Sequence, residues 1–476
     1  MKKLLIAIFA IALVISCKEE KKASEVKEEQ KAVLDIEPIS DEVLETAVIY
    51  EANIRQYSPE GTFNAFAKDI PVLKDLGVKV IWLMPINPIS EVKRKATDGQ
   101  FTSEIEDENE RKKYLGSYYS VSDYRAINPE FGTKEDFKNL VKTAHQNGIY
   151  VIVDWVPNHT GWDHPWIKAH PDYYTQNEAG EIIDPINPDT GKSWGWTDVA
   201  DLNYDNMEMR EKMISDLKYW LTEADIDGYR MDVAHKVPVD FFEKVTEELK
   251  TIKPVFMLAE AEQADLMVKA FDMQYGWDVH HIFNKLSKGE VTTKAFDEYM
   301  VKIDSTYQED DINMNFVTNH DENSWNGTLK ERMPNNKEIF TALTYVMPGM
   351  PLIYSGQEYD LEHRLKFFEK DSIPKEKGAY FTLLKKLGEL KNTNVALNGG
   401  KDAASYKSIP YSDSILMFER SKGEETIVFV GNFTDNDSRV VIPKGKYKNY
   451  LTGEVETITP ETQPIDAWEY KILIKL

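Results

Sequence analysis

Carboxylates, an arginine and histidines recur in this chain at the ends of short apolar runs. Asp154, Asn158 and His159 end IYVIVDWV, Arg230 and Asp232 lie in IDGYRMDVA, Glu260 in PVFMLAEAE, and His320 and Asp321 in NMNFVTNHDE. Two carboxyls held in different protonation states at one pH can break an acetal. The leaving oxygen needs a proton, and the developing cation needs a negative charge beside it. Arg230 and Asp232 are two positions apart, so on a strand they share one face, and a neighbouring cation favours the ionised carboxylate. Glu260 arrives behind Phe256, Met257, Leu258 and Ala259, apolar company that favours the neutral acid. One such residue at a strand end is ordinarily a cap or a loop residue; four separate runs ending this way call for a common cause.

These side chains act together only if the strands carrying them run side by side. AVIYEANI, VKVIWLMPI, IYVIVDWV, IDGYRMDVA, PVFMLAEAE, NMNFVTNHDE and MPLIYSGQE read as strands. They alternate with helical patterns such as residues 63–76 and 134–147, which implies a parallel sheet, and FDMQYGWDV (271–279) supplies an eighth strand. The predicted fold is α/β, a (β/α)8 TIM barrel, in which the carboxyl ends of all strands surround one cavity. An open doubly wound sheet is the alternative, but no Gly-rich phosphate loop follows the first strand.

DWVPNH (154–159), GYRMDVAH (228–235), FMLAEAE (256–262) and FVTNHD (316–321) resemble the four ordered signature segments of the alpha-amylase family, glycoside hydrolase family 13. GSYYSVSDYRAINPEFGT (116–133), VADLNY (199–204) and MPLIYSGQE (350–358) fall where that family has related segments, and the resemblance covers roughly residues 46–395. It implies that Asp232 is a nucleophile forming a covalent glycosyl-enzyme, Glu260 the general acid/base, and Asp321 the carboxylate gripping the sugar 2- and 3-hydroxyls. It also implies that His159 and His320 hydrogen-bond the sugar at the cleavage point, with Tyr119 as the aromatic platform beneath it. Asp154, Arg230 and His235 are further expected substrate-side residues, Arg230 holding Asp232 ionised.

Residues 160–198 resemble the small B domain that family members insert after the third strand. Trp162, Trp166, Trp194 and Trp196 there either stack on sugar rings or pack a loop with little core of its own, and at least one is expected in the cleft. Many family members carry Lys-His three and four positions after the nucleophile. Here those positions are His235 and Lys236, the reverse order, which weakens the case for a typical endo-acting starch amylase and its calcium site. Asn158 and Asp201 align with two ligands of that site and either hold a structural Ca2+ or brace the loop. The chemistry itself requires no cofactor.

After Lys391 alternation replaces helical patterning, and residues 396–476 read as an antiparallel β-sandwich that resembles the family's C domain. At the other end, Lys2 and Lys3 precede the apolar run Leu4–Ile15, an export signal, and Cys17 directly after Val14-Ile15-Ser16 resembles the lipobox of bacterial lipoproteins. The expectation is a signal over 1–17, a charged tether over 18–45, and an enzyme held by lipid at the bacterial outer membrane. Cys17 is the chain's only cysteine, so no intrachain disulfide forms, and a formal charge of −24 disfavours nucleic acid and anionic lipid.

Two classes of function remain at this stage. One is a retaining hydrolase of α-1,4-linked starch-like polysaccharides or maltooligosaccharides, within which transglycosylation, α-1,6 cleavage or exo attack stay open. The other is a non-catalytic glucan-binding adaptor on the same fold, which the presence of all three carboxylates disfavours.

Overall fold

The computed structural model describes residues 36–476, so the export signal, Cys17 and most of the proposed tether lie outside the described residues. Eight parallel strands close on one another: β1 (Val48–Ala52), β2 (Val78–Leu83), β3 (Tyr150–Trp155), β4 (Gly228–Met231), β5 (Phe256–Ala259), β6 (Met273–Tyr275), β7 (Ile312–Asn315) and β8 (Met350–Tyr354). Each pairs with its neighbours in sequence and β8 returns to β1, giving the expected barrel. The short β6 is the strand carried by FDMQYGWDV.

Alternation along each strand sorts the core into two layers. Ile49, Val80, Trp82, Ile152, Leu258 and Met314 fill the barrel interior. Tyr229, Met231, Val151, Val153 and Met257 face the surrounding helices. That parity puts Arg230 inside the barrel, where the register pairs it with Asp154 on β3 and Leu258 on β5. Gly228 makes the β4–β5 approach possible: its φ is +150°, and a Cβ there would stand 1.9 Å from the Phe256 carbonyl oxygen.

Helices follow their caps. Thr133 and Asp136 form a capping box at the start of Lys134–Gln146, whose Phe137, Leu140, Val141 and Ala144 are buried. The single helix expected over 63–76 is instead two, Phe63–Ala67 and Ile70–Asp75, because Pro71 opens a new helix and disfavours helical backbone in the residue before it. At the barrel's amino-terminal face Ile39 and Leu44 are buried against the interior layer, and Tyr150 donates to the Glu37 carbonyl. Residues 36–45 therefore belong to the folded body rather than to a tether; the apolar side chains scattered among their charges have a surface to cover.

The excursion after β3 is closed at its base by an antiparallel pair, His159–Gly161 with Val199–Asp201. Beyond the helix Ala379–Thr393 come β9 (Ser405–Ser408), β10 (Ile415–Lys422), β11 (Glu425–Asn432), β12 (Ser438–Val440), β13 (Gly445–Asn449), β14 (Val455–Ile458), β15 (Gln463–Ile465) and β16 (Tyr470–Lys475). Six form one antiparallel sheet in the order β9-β10-β11-β16-β13-β14, and β12 pairs with β15. One face of the large sheet packs Met417, Val428 and Leu473 with Val440, Ile442 and Ile465. Its other face sets Phe418, Phe429 and Ile472 against the barrel's helical layer. Tyr450–Gly453, expected inside a strand, is the turn between β13 and β14, since Asn449 and Gly453 close it by a backbone hydrogen bond.

Candidate active site

The ends of β1, β3, β4, β5, β7 and β8 converge on a cavity of about 400 Å³, lined by Asp232, Glu260, Asp321, His159, His320 and Tyr119 among others. Its size suits an oligosaccharide segment. A larger, open groove of about 800 Å³ between Trp277–Ser287 and Lys294–Thr306 is rimmed by Lys285, Lys288, Glu290 and Lys302 and shares none of these groups.

Arg230 organises the cluster from below. Fully buried, it donates through Nη1 to Asp154 Oδ1 at 2.8 Å and Asp232 Oδ1 at 2.9 Å, and through Nε to the Tyr275 hydroxyl at 3.2 Å. Its Nη2 lies 3.0 Å from Glu260 Oε1, an ion pair without hydrogen-bond alignment. Glu260 Oε2 accepts from the Val233 backbone N–H at 2.7 Å. Oε1 is thus the Glu260 oxygen left available to the cavity. Val233 reaches this position with φ +47°, a left-handed turn uncommon for a β-branched residue, and such strain gathers at functional sites.

One guanidinium facing three carboxylates cannot hold them all at their ordinary acidity. Burial, reinforced by Glu260 and Asp154, outweighs Arg230 and pushes the Asp232 carboxyl well up, and burial pushes Asp154 up to about 6 against the pull of Arg230. This corrects two expectations. Arg230 alone does not keep Asp232 ionised, because its charge is divided three ways in a desolvated site. Glu260, for its part, meets an arginine and a backbone N–H rather than apolar surroundings. Asp232 and Glu260 therefore titrate as one system.

A second network closes the β1 and β7 side. His320 Nδ1 stands 2.5 Å from Glu51 Oε1, and its Nε2 lies 2.8 Å from the Tyr119 hydroxyl and 3.5 Å from Asp321 Oδ2. Tyr119 donates onward to Asp154 Oδ2 at 3.1 Å, which also accepts from the Trp82 indole at 3.1 Å. The donors are mutually consistent if His320 carries both protons. Burial opposes that charge, but Asp321 and Glu51 together overcome it and raise the imidazole to about 9. His159 is neutral, lowered by burial to about 3, with Asn158 donating to its Nδ1 at 3.1 Å.

Asp154 and Arg230 are fully buried and reach the cavity only through Asp232, Glu260 and Tyr119, so they are positioning residues and not the expected substrate contacts. His235 is exposed and does not line the cavity. The following Lys236 places its ammonium 3.5 Å over the Trp194 ring and 4.9 Å over Trp196, so the turn after β4 spends its cation on the inserted loop. Of the four loop tryptophans, Trp196 lines the cavity, Trp194 stacks on it 6.0 Å away, Trp166 is buried, and Trp162 is held by the Thr197 carbonyl.

Asn158 and Asp201 do not fit a calcium site. The Asn158 amide serves His159, Asp201 accepts from Thr175 at 2.7 Å beside the positive charge of Lys236, and no group of three His, Cys, Asp or Glu among the described residues could hold a metal. Six to eight oxygens are needed for calcium.

Sequence reasoning missed Glu51, Trp82, Tyr275, Trp325, Phe367 and Phe368. Glu51 was legible: it shares a face with Ile49, two positions earlier, and so points into the barrel. Trp82 and Tyr275 look like ordinary core aromatics until Asp154 and Arg230 are set beside them.

Residues 40–385 match the alpha amylase catalytic domain. The chain is 26% identical over 355 residues to Alpha-amylase 3 of Dictyoglomus thermophilum, covering 66% of this chain and 64% of that protein. It is 27% identical over 403 residues to a maltogenic alpha-amylase of Bacillus acidopullulyticus, covering 79% and 63% respectively. The chain thus spans about two thirds of the length of these relatives. Among solved structures, an alpha-amylase from Lactobacillus plantarum superposes with a TM-score of 0.78 at 28% identity, covering 92% of this chain and 100% of that one. A maltogenic alpha-amylase from Thermotoga neapolitana gives 0.78 at 27%, covering 91% and 99%. A barrel of this topology, carboxylates gathered at the ends of β4, β5 and β7, and a family match over most of the chain together place the protein in the alpha-amylase family.

Proposed function

We propose that this protein is a retaining α-glucan hydrolase that cleaves α-1,4-glucosidic bonds of starch-like polysaccharides or maltooligosaccharides. The observation that carries the reading is the sharing of Arg230 by Asp232 and Glu260 on the wall of one cavity, with Asp321 opposite. Two carboxyls on one guanidinium suit the close spacing of a retaining pair, about 5–5.5 Å, better than the wider one that admits a water between them.

Glu260 Oε1 gives its proton to the glycosidic oxygen as that bond breaks, and the Asp232 carboxylate bonds to the anomeric carbon. Water then attacks that carbon, passing a proton to Glu260, and the Asp232–sugar bond breaks. Both steps need the single proton of the pair on Glu260 and the charge on Asp232. Asp321, paired with protonated His320, is suited to accept from the ring hydroxyls as the sugar flattens.

The test is the anomer released from amylose, followed by NMR, together with Asp232→Asn. The α-anomer and loss of reducing-sugar release in the variant support the assignment. Release of the β-anomer, or full activity in the variant, overturns it. An adaptor without activity is disfavoured, since all three acidic groups reach the cavity.

The export signal, acylation of Cys17 and residence at the bacterial outer membrane form part of the same proposal, supported by Lys2, Lys3, the run Leu4–Ile15 and the cysteine that follows. Labelled palmitate entering the native protein but not Cys17→Ser supports them; equal labelling of both overturns them.

A further inference from the structure

We infer that Trp325, Phe367 and Phe368 form the platform for the sugar rings on the non-reducing side of the cleaved bond, so that efficient cleavage needs a glycone of at least two glucose units. The inference rests on the hydrolase reading above and gives that site a chain-length requirement.

Barrel order sets the direction. In a closed ring of eight, β3 and β4 lie across from β7 and β8. Glu260, bonded to the Val233 N–H, stands on the β4–β5 side near Trp196, and the acid must lie next to the leaving group. The leaving chain therefore runs out past Val233 and Trp196. The retained chain runs the other way, toward the residues that follow β7 and β8.

Three aromatic side chains stand there. Trp325 comes four residues after Asp321 on the turn Glu322–Asn326, and Phe367 and Phe368 come from the loop after β8; all three line the cavity. Trp325 is 41% exposed, whereas Trp82, Trp155 and Trp220 are fully buried. Its ring centroid lies 5.0 Å from Phe367 and 6.0 Å from Phe368. A wet tryptophan beside two phenylalanines presents a flat apolar surface, which the C–H faces of glucose match.

The exposure is built in. Asn323 Oδ1 accepts from the Leu365 N–H at 2.8 Å, Ser324 Oγ donates to the Leu365 carbonyl at 3.2 Å, and Arg364 Nη1 donates to the Trp325 carbonyl at 3.3 Å. These bonds stitch the two loops together. The Phe368 carbonyl accepts from the Leu115 N–H at 2.6 Å and that of Phe367 from Arg55 Nη1 at 3.4 Å. A rigid backbone that leaves a large aromatic at the cavity wall is a preformed binding face.

The test compares kcat/KM for maltopentaose with that for 4-nitrophenyl α-glucoside, which has a single ring before the cleaved bond. Trp325→Ala is expected to lower the first roughly 10- to 100-fold, mainly through KM, and to collapse the ratio between the two substrates. Equal loss on both overturns the platform. If Trp325→Ala does not fold, Trp325→Leu keeps apolar bulk without the flat face and must show the same selective loss. A native protein inactive on both substrates defeats the hydrolase reading instead. The platform is then judged by calorimetry with maltotriose, where equal affinity in the native protein and Trp325→Leu overturns it.

Discussion

Glu51 Oε1 and His320 Nδ1 stand 2.5 Å apart in the barrel wall, an ion pair joining the first and seventh strands beneath the cavity. Glu51 is wholly buried, and its second oxygen has no hydrogen-bond partner, so nearly all its compensation comes from one imidazolium.

A group whose folded pKa is raised contributes stability in full below its unfolded value and loses it as pH rises through the folded one. For His320 that window runs from its ordinary 6.5 to about 9. In Glu51→Gln, Asp321 alone remains to raise the imidazole, so the window narrows from its upper end. The alkaline limb of the kcat/KM profile is expected to move toward neutrality, and the fall in Tm between pH 6.5 and 9 to begin earlier. An alkaline limb unmoved by the substitution counts against this role for Glu51.

The crowding around Arg230 predicts opposite effects on activity and stability at one residue. Asp232 is held above its ordinary pKa, so its ionisation at neutral pH works against the folded state. Asp232→Asn keeps an oxygen for Arg230 and removes that charge. The variant is expected to lose turnover while gaining about 0.5–2 kcal/mol at pH 7, the range seen when a strained active-site charge is relieved. Denaturant unfolding at pH 7 and pH 4 checks it, since the gain must shrink at the lower pH, where the native carboxyl is protonated.

Gly228 lets β4 lie close enough to β5 for Arg230 to reach Glu260. A methyl group there meets the Phe256 carbonyl oxygen at 1.9 Å, on backbone at φ +150° that side chains rarely adopt. Backbone must move rather than a side-chain tip. Gly228→Ala is expected to cost at least about 3 kcal/mol, read as a fall in the urea midpoint. A midpoint within experimental error of the native one rejects the account.

The parts legible in the sequence are those set by period and order. Apolar runs at helix-long intervals specified the barrel, and strand parity put Arg230 inside with Asp154 and Asp232. Parity could also have placed Glu51. What stayed hidden depends on distances between chain segments remote in sequence. That Arg230 serves three carboxylates follows from the β3–β4–β5 register, and that Lys236 turns to Trp194 follows from where the inserted loop comes to rest. The aromatic wall of Trp325, Phe367 and Phe368 comes from two irregular segments with no periodic pattern to read.

The pair His235–Lys236 shows how position outweighs residue type. His235 faces solvent and leaves the cavity untouched, so His235→Ala is expected to change kcat/KM less than twofold. Lys236 covers Trp194 and Trp196, and a desolvated cation–π contact is worth up to about 2 kcal/mol. Lys236→Ala is expected to loosen both rings and raise KM for maltopentaose several-fold. Parallel kinetics on the two variants decide the matter, and a larger effect from His235→Ala reverses the assignment.

Chelation tests the reading of Asn158 and Asp201. The base of the inserted loop is held by the His159–Asp201 backbone pairing, the Thr175 hydroxyl on Asp201 and the Leu202 N–H on the Asn158 carbonyl. These contacts use the oxygens that a calcium ion would require, and Lys236 supplies positive charge near Asp201 where such an ion would bring its own. The loop is therefore braced by the chain itself. Excess EDTA should leave Tm and activity unchanged, and added Ca2+ should not raise Tm. Thr175→Val, which removes one brace, should lower Tm by itself, at a cost of about 1–2 kcal/mol for a partly buried hydrogen bond to a carboxylate. A Tm that falls with EDTA and returns with Ca2+ would show instead that these oxygens are metal ligands.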